Sequence, residues 1–65
     1  MLTFNVQDMT CNHCASAITR AVKDVDANAK VEVLVAEKRV NIDSSMAAAE
    51  FAEAIKEAGY TPVAA

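Results

Sequence analysis

The apolar residues of this chain switch repeatedly between two spacings, and the order of those switches limits the available folds more than any single motif does. Leu2, Phe4 and Val6 alternate with Thr3, Asn5 and Gln7, the period-two pattern of a strand with one buried face. Asp8 to His13 reads as a loop. Cys14, Ile18, Ala21, Val22 and Val25 then recur at helical spacing with Arg20, Lys23 and Asp24 on the other side, which predicts an amphipathic helix. Asp26, Asn28 and the small residues between them end that pattern and form a connection.

Val31, Val33 and Val35 alternate again and, past a tight link near Ala36-Glu37-Lys38, so do Val40 and Ile42. This predicts an antiparallel hairpin with one apolar face, from which Leu34 points away. Ser44 or Ser45 is expected to cap a second helix lined on one side by Ala48, Phe51, Ile55 and Ala58, with Gly59 as a left-handed stop. Tyr60 to Val63 reads as a short last strand, and Pro62, which lacks an N–H, belongs on a sheet edge.

The order is strand, helix, strand, strand, helix, strand. Two helices on one face of a four-stranded antiparallel sheet would bury all of these apolar faces together, so the expected fold is α+β and ferredoxin-like, βαββαβ. No linker, repeat or low-complexity stretch divides residues 1–65, which are read as one domain. A domain of this size buries only about 60% of the surface its unfolded chain exposes, so its core must be efficient. The hydrophobic fraction of 54%, with one Gly and one Pro, suits that demand.

Six basic residues against nine acidic ones leave a net charge of -3, the wrong sign for contacts to nucleic-acid phosphates. A basic protein partner fits better. Glu32, Glu37, Asp43, Glu50, Glu53 and Glu57 are read as a solvated surface. No apolar run approaches the roughly 20 residues of a membrane span, and the N-terminus begins with strand-like alternation, so a soluble, cytoplasmic chain without membrane insertion is expected. Two cysteines in C-x-x-C spacing are too close to staple distant parts of a fold and suit a reducing compartment. With no second histidine, no nucleophile beside a base and no glycine-rich phosphate loop, the chain is not expected to be an enzyme.

Met9-Thr10-Cys11-Asn12-His13-Cys14 holds both cysteines, the single histidine and the start of the first helix. Sulfurs two residues apart can converge on one point, and a soft ion such as Cu(I) prefers thiolates there. If Cys14 opens the helix, unpaired N–H groups and the positive end of the helix dipole face the site and favour thiolate over thiol. Metal binding then needs less proton release. A thiol-disulfide protein is the alternative of another class, although a thioredoxin-like domain is normally longer and has a different strand order. Zinc in a structural role usually takes four ligands, and His13 between the cysteines does not complete such a set. Met9 reads as core filler rather than as a ligand. His13 reads as an exposed ring that adjusts thiolate acidity and access, and Tyr60 as an aromatic that packs on the core, borders the site, or both.

With these residues in hand, the chain resembles the heavy-metal-associated domain family, which includes bacterial copper chaperones, the N-terminal domains of copper-transporting P-type ATPases and mercury-binding proteins. Met9 to Cys14 matches the family's M-x-C-x-x-C motif, and Ala54-Ile55-Lys56-Glu57-Ala58-Gly59-Tyr60 resembles the usual end of its second helix. The resemblance implies Cys11 and Cys14 as metal ligands, Met9 as a buried support under the loop and Tyr60 closing over the site, with Thr10 and His13 also beside the ligands. Asp8 stands where many members have Gly. Zinc-preferring members often carry Asp immediately before the first cysteine, where this chain has Thr10.

The resemblance thus implies a copper chaperone that passes Cu(I) by thiolate exchange to the metal-binding domain of a copper-transporting P-type ATPase, with a copper-responsive repressor as a second partner. The apo chain is expected to be a monomer, with a metal-bridged dimer as its other form. A carrier of Zn(II) or Hg(II) on the same fold, or a domain excised from such an ATPase, is the alternative within the family.

Overall fold

Strand β1 (Leu2–Val6) lies between β3 (Arg39–Asp43) and β4 (Pro62–Ala64), and β2 (Lys30–Leu34) pairs with β3, so the sheet order is β2-β3-β1-β4. Every pairing is antiparallel. Helices α1 (Asn12–Val25) and α2 (Ala48–Glu57) complete the expected βαββαβ order. The computed structural model describes residues 1–10 and 12–65; Cys11 lies outside the described residues.

Register decides which side chains meet. Leu2 faces Ile42 and Phe4 faces Val40 across β1 and β3, while Val31 and Val33 face the same two residues from β2. One sheet face is therefore apolar, and it buries Phe4, Val6, Val40 and Ile42 against Ile18 and Val22 of α1 and Phe51 and Ile55 of α2. Full burial of each large side chain contributes on the order of 1.5–3 kcal/mol, and no described polar or charged residue is buried among them. The opposite face carries the row Glu32, Asn41 and Thr3, in which Thr3 Oγ1 donates to Asn41 Oδ1 at 3.0 Å and Asn41 Nδ2 donates to Glu32 Oε1 at 3.1 Å. Leu34 lies on that face opposite Arg39, as its place in the alternation required. Pro62 faces Val6 from an edge strand, where one missing donor is tolerated.

Four expectations need correction. Helix α1 already includes Asn12 and His13, so Cys14 is its third residue rather than its opening one. Both preceding residues are exposed and polar, and apolar spacing carries no information about them. Neither Ser44 nor Ser45 caps α2: its N-cap is Ala47, without a side-chain hydrogen bond. Ser44 Oγ donates instead to Asp26 Oδ2 at 2.6 Å and accepts from Met46 N at 3.1 Å, so its hydroxyl ties two connections together. Ala58 is the exposed C-cap of α2 rather than part of its apolar side. The last strand starts at Pro62 and not at Tyr60, because the Tyr60 N–H turns back to Ile55 O at 3.2 Å to close the end of α2.

Candidate metal centre

The motif loop leaves the sheet where β1 ends, and the pairing brings two other loops to the same end. Asn5 faces Arg39 at the start of β3, and Val6 faces Pro62 at the start of β4. The β2–β3 link and the α2–β4 loop therefore flank residues 7–10. Val6 N donates to Lys38 O at 2.8 Å, and Met9 N turns back to Val6 O at 3.2 Å. Met9 is fully buried, and its carbonyl accepts from Lys38 Nζ at 3.2 Å. On the other flank the Asp8 carboxylate accepts from Thr61 N through one oxygen and from Thr61 Oγ1 through the other, each at 3.2 Å.

Beyond this anchored stretch Thr10, Asn12 and His13 are exposed. Cys14 is half-buried and packs against the same apolar cluster as Met9 and Tyr60. It sits in the first turn of α1, which contains no acidic residue, so no carboxylate in that turn opposes negative charge on sulfur. Tyr60 is placed by the end of α2: Gly59 adopts φ +99, its N–H reaches Lys56 O at 3.0 Å, and the Tyr60 N–H reaches Ile55 O. This is the Schellman pattern, which commonly brings the residue after the glycine into apolar contact with the last turn. Among the described residues, no three His, Cys, Asp or Glu side chains gather into a further metal-holding group.

Met9 thus belongs to the core cluster and Cys14 and Tyr60 pack against it, while Thr10 and His13 are exposed. The ligand role expected for Cys11 falls outside the described residues. Sequence reasoning missed the parts played by Lys38 and Thr61. Asp8 stood out only as an unusual residue, and its partner is 53 positions away. A side-chain bond over that separation leaves no periodic trace in the sequence.

A family model described as the heavy-metal-associated domain matches residues 3–61. The chain belongs to the heavy-metal-associated domain family. Within the wider heavy-metal-associated domain family, a copper chaperone CopZ of Staphylococcus aureus strain MRSA252 is 34% identical over 62 residues, covering 91% of each chain. The crystal structure of a gold binding protein is similar with a TM-score of 0.95 at 34% identity, over 100% of both chains. The copper chaperone Atx1 from Synechocystis PCC6803, in its trimeric Cu1 form, gives a TM-score of 0.93 at 35% identity, over 97% of this chain and 100% of that one. Both structures share the ferredoxin-like arrangement described above.

Proposed function

We propose that this chain is a carrier of Cu(I), holding the ion between the thiolates of Cys11 and Cys14 and passing it to a partner with a similar cysteine pair. The observation that carries this reading is the M-T-C-N-H-C motif between β1 and α1, with Cys14 in a helical first turn free of carboxylates. Similarity to proteins named copper chaperones over nearly the whole chain supports it. A soft, monovalent ion suits two thiolates, and a helix N-terminus favours the ionised sulfur that binds it.

Transfer follows from low coordination. An incoming thiolate from the acceptor bonds to the two-coordinate Cu(I) and makes a three-coordinate intermediate. One Cu–S bond to the carrier then breaks, and a second exchange completes the transfer. Copper remains Cu(I) throughout, no electron moves, and each released thiolate can take up a proton. The acceptor is read as the metal-binding domain of a copper-transporting P-type ATPase, with a copper-responsive repressor as another recipient, in the cytoplasm. No catalytic role is assigned to any residue. A carrier of Hg(II) or Zn(II) is the second reading, and the similarity to a gold binding protein supports soft thiophilic cargo more generally.

Titration of the reduced chain against a Cu(I) chelator is expected to give one Cu(I) per monomer. Cys11→Ser and Cys14→Ser should each weaken binding more than about 100-fold, since loss of a mere supporting partner of a metal ligand already costs 10–100-fold. Circular dichroism should show both variants folded. Wild-type affinity in both variants would refute the assignment, and a redox-active disulfide with no metal uptake would favour the thiol-disulfide reading.

A further inference from the structure

The side chain of Asp8 bonds the α2–β4 loop to the motif loop. Its two carboxylate oxygens take up the backbone N–H and the hydroxyl of Thr61, each at 3.2 Å, and both residues are exposed and outside the core. Thr61 follows Tyr60, which packs against the same cluster as Cys14. Asp8 precedes Met9, which is fixed by burial, by its N–H to Val6 O and by Lys38 Nζ on its carbonyl. Only Thr10 separates Met9 from Cys11 along the chain. The paired bonds therefore couple the position of Tyr60 and Thr61 to the approach of the chain into the cysteine pair. A glycine at position 8 has no side chain with which to make this connection.

We propose that Asp8 is a positioning residue for metal exchange: its carboxylate latches Thr61, and with it the α2–β4 loop, onto the cysteine loop and so slows the escape of bound metal. This rests on the Cu(I)-carrier reading. A preorganised loop holds its ligands at lower entropic cost, and an attacking thiol gains access only when the loops part. Neither Asp8 nor Thr61 belongs to the core, so loss of their bonds leaves the core side chains in place.

The design turns on separating the bonds from the charge. Asp8→Ala removes both, while Asp8→Asn removes the charge but keeps an oxygen for the Thr61 N–H and can offer its amide N–H to the Thr61 hydroxyl. Thr61→Val removes only the hydroxyl bond. Stopped-flow removal of Cu(I) by a competing dithiol is expected to be about fivefold faster in Asp8→Ala, the change that corresponds to two hydrogen bonds at the low end of their net worth. Asp8→Asn should behave as wild type, Thr61→Val should lie between, and exchange of the Thr61 amide hydrogen in the apo chain should accelerate in Asp8→Ala. Equal release rates in Asp8→Ala and wild type overturn the latch, as does an Asp8→Asn that releases metal as fast as Asp8→Ala, which would reduce the effect to charge. If the wild-type chain takes up no Cu(I), the carrier reading fails. Alkylation of the apo thiols still decides the latch in that case: faster reaction in Asp8→Ala with a wild-type rate in Asp8→Asn supports it, and equal rates in all three overturn it.

Discussion

Gly59 is the residue through which the end of α2 brings Tyr60 onto the core. Its φ of +99 is one that side-chain-bearing residues avoid, and it lets the next N–H turn back on Ile55 while Tyr60 moves toward the cluster beneath the motif. A Cβ built at this position meets nothing within 4 Å, so replacement is opposed by backbone strain rather than by collision. Gly59→Ala should therefore destabilise the fold by about 1–2 kcal/mol, the cost of a left-handed conformation for an L-residue. The shift should appear in the urea midpoint, accompanied by a change in Tyr60 fluorescence. A midpoint equal to that of wild type would mean that the chain leaves α2 by another route. Lys38, at φ +55, is in the same left-handed region without being glycine. Its carbonyl accepts from Val6 N and its ammonium donates to Met9 O, and these bonds offset the conformational cost at a position that borders the motif loop.

The connections between elements are held by side chains that apolar periodicity does not register. Asp26, after α1, accepts from Ser44 Oγ, after β3, and from the N–H of Asn28 at 3.0 Å, while Lys23 Nζ donates to the carbonyl of Ala29. The Ser44 hydroxyl, then the Asn28 N–H and, more weakly, the Lys23 charge hold the Asp26 carboxyl below the usual aspartate range against a small opposing effect of burial. A carboxylate with a depressed folded-state pKa contributes stability that is present above its unfolded pKa, near 3.9, and is lost as pH falls through the folded value. Ser44→Ala should accordingly lower the urea midpoint near neutral pH, and the gap to wild type should narrow as pH drops below about 4. A gap independent of pH would assign the Ser44 effect to its bond with Met46 N instead. The strands and helices were legible in the sequence because Phe4, Val6, Ile18, Val22, Val40, Ile42, Phe51 and Ile55 all announce their buried faces by spacing. The start of α1, the true role of Ser44 and the Asp8–Thr61 pair were not, since each depends on polar groups that meet only after the chain has folded.

At the scale of the whole molecule, Met9 ties the cysteine motif to the core. Among the described residues of the β1–α1 loop it alone joins the buried cluster, whose other members include residues from both helices and the sheet. For 65 residues, stability on the order of 0.05–0.15 kcal/mol per residue leaves a total of only about 3–10 kcal/mol. Truncating a buried methionine to alanine typically costs about 2–5 kcal/mol through lost transfer energy and the cavity left behind. Met9→Ala is therefore expected to remove a large part of the fold's stability and to lower its melting temperature sharply. Met9→Leu, which conserves volume, should cost less than about 1.5 kcal/mol. If the thioether only supports the loop from below, Met9→Leu should also keep wild-type Cu(I) affinity, while Met9→Ala loses affinity roughly in step with the population that remains folded. Thermal denaturation alongside Cu(I) competition separates the two roles. A Met9→Leu chain with a near-wild-type melting temperature but much weaker copper binding, together with a thioether sulfur seen by X-ray absorption in the wild-type copper shell, would move Met9 from the core's inventory to the metal's.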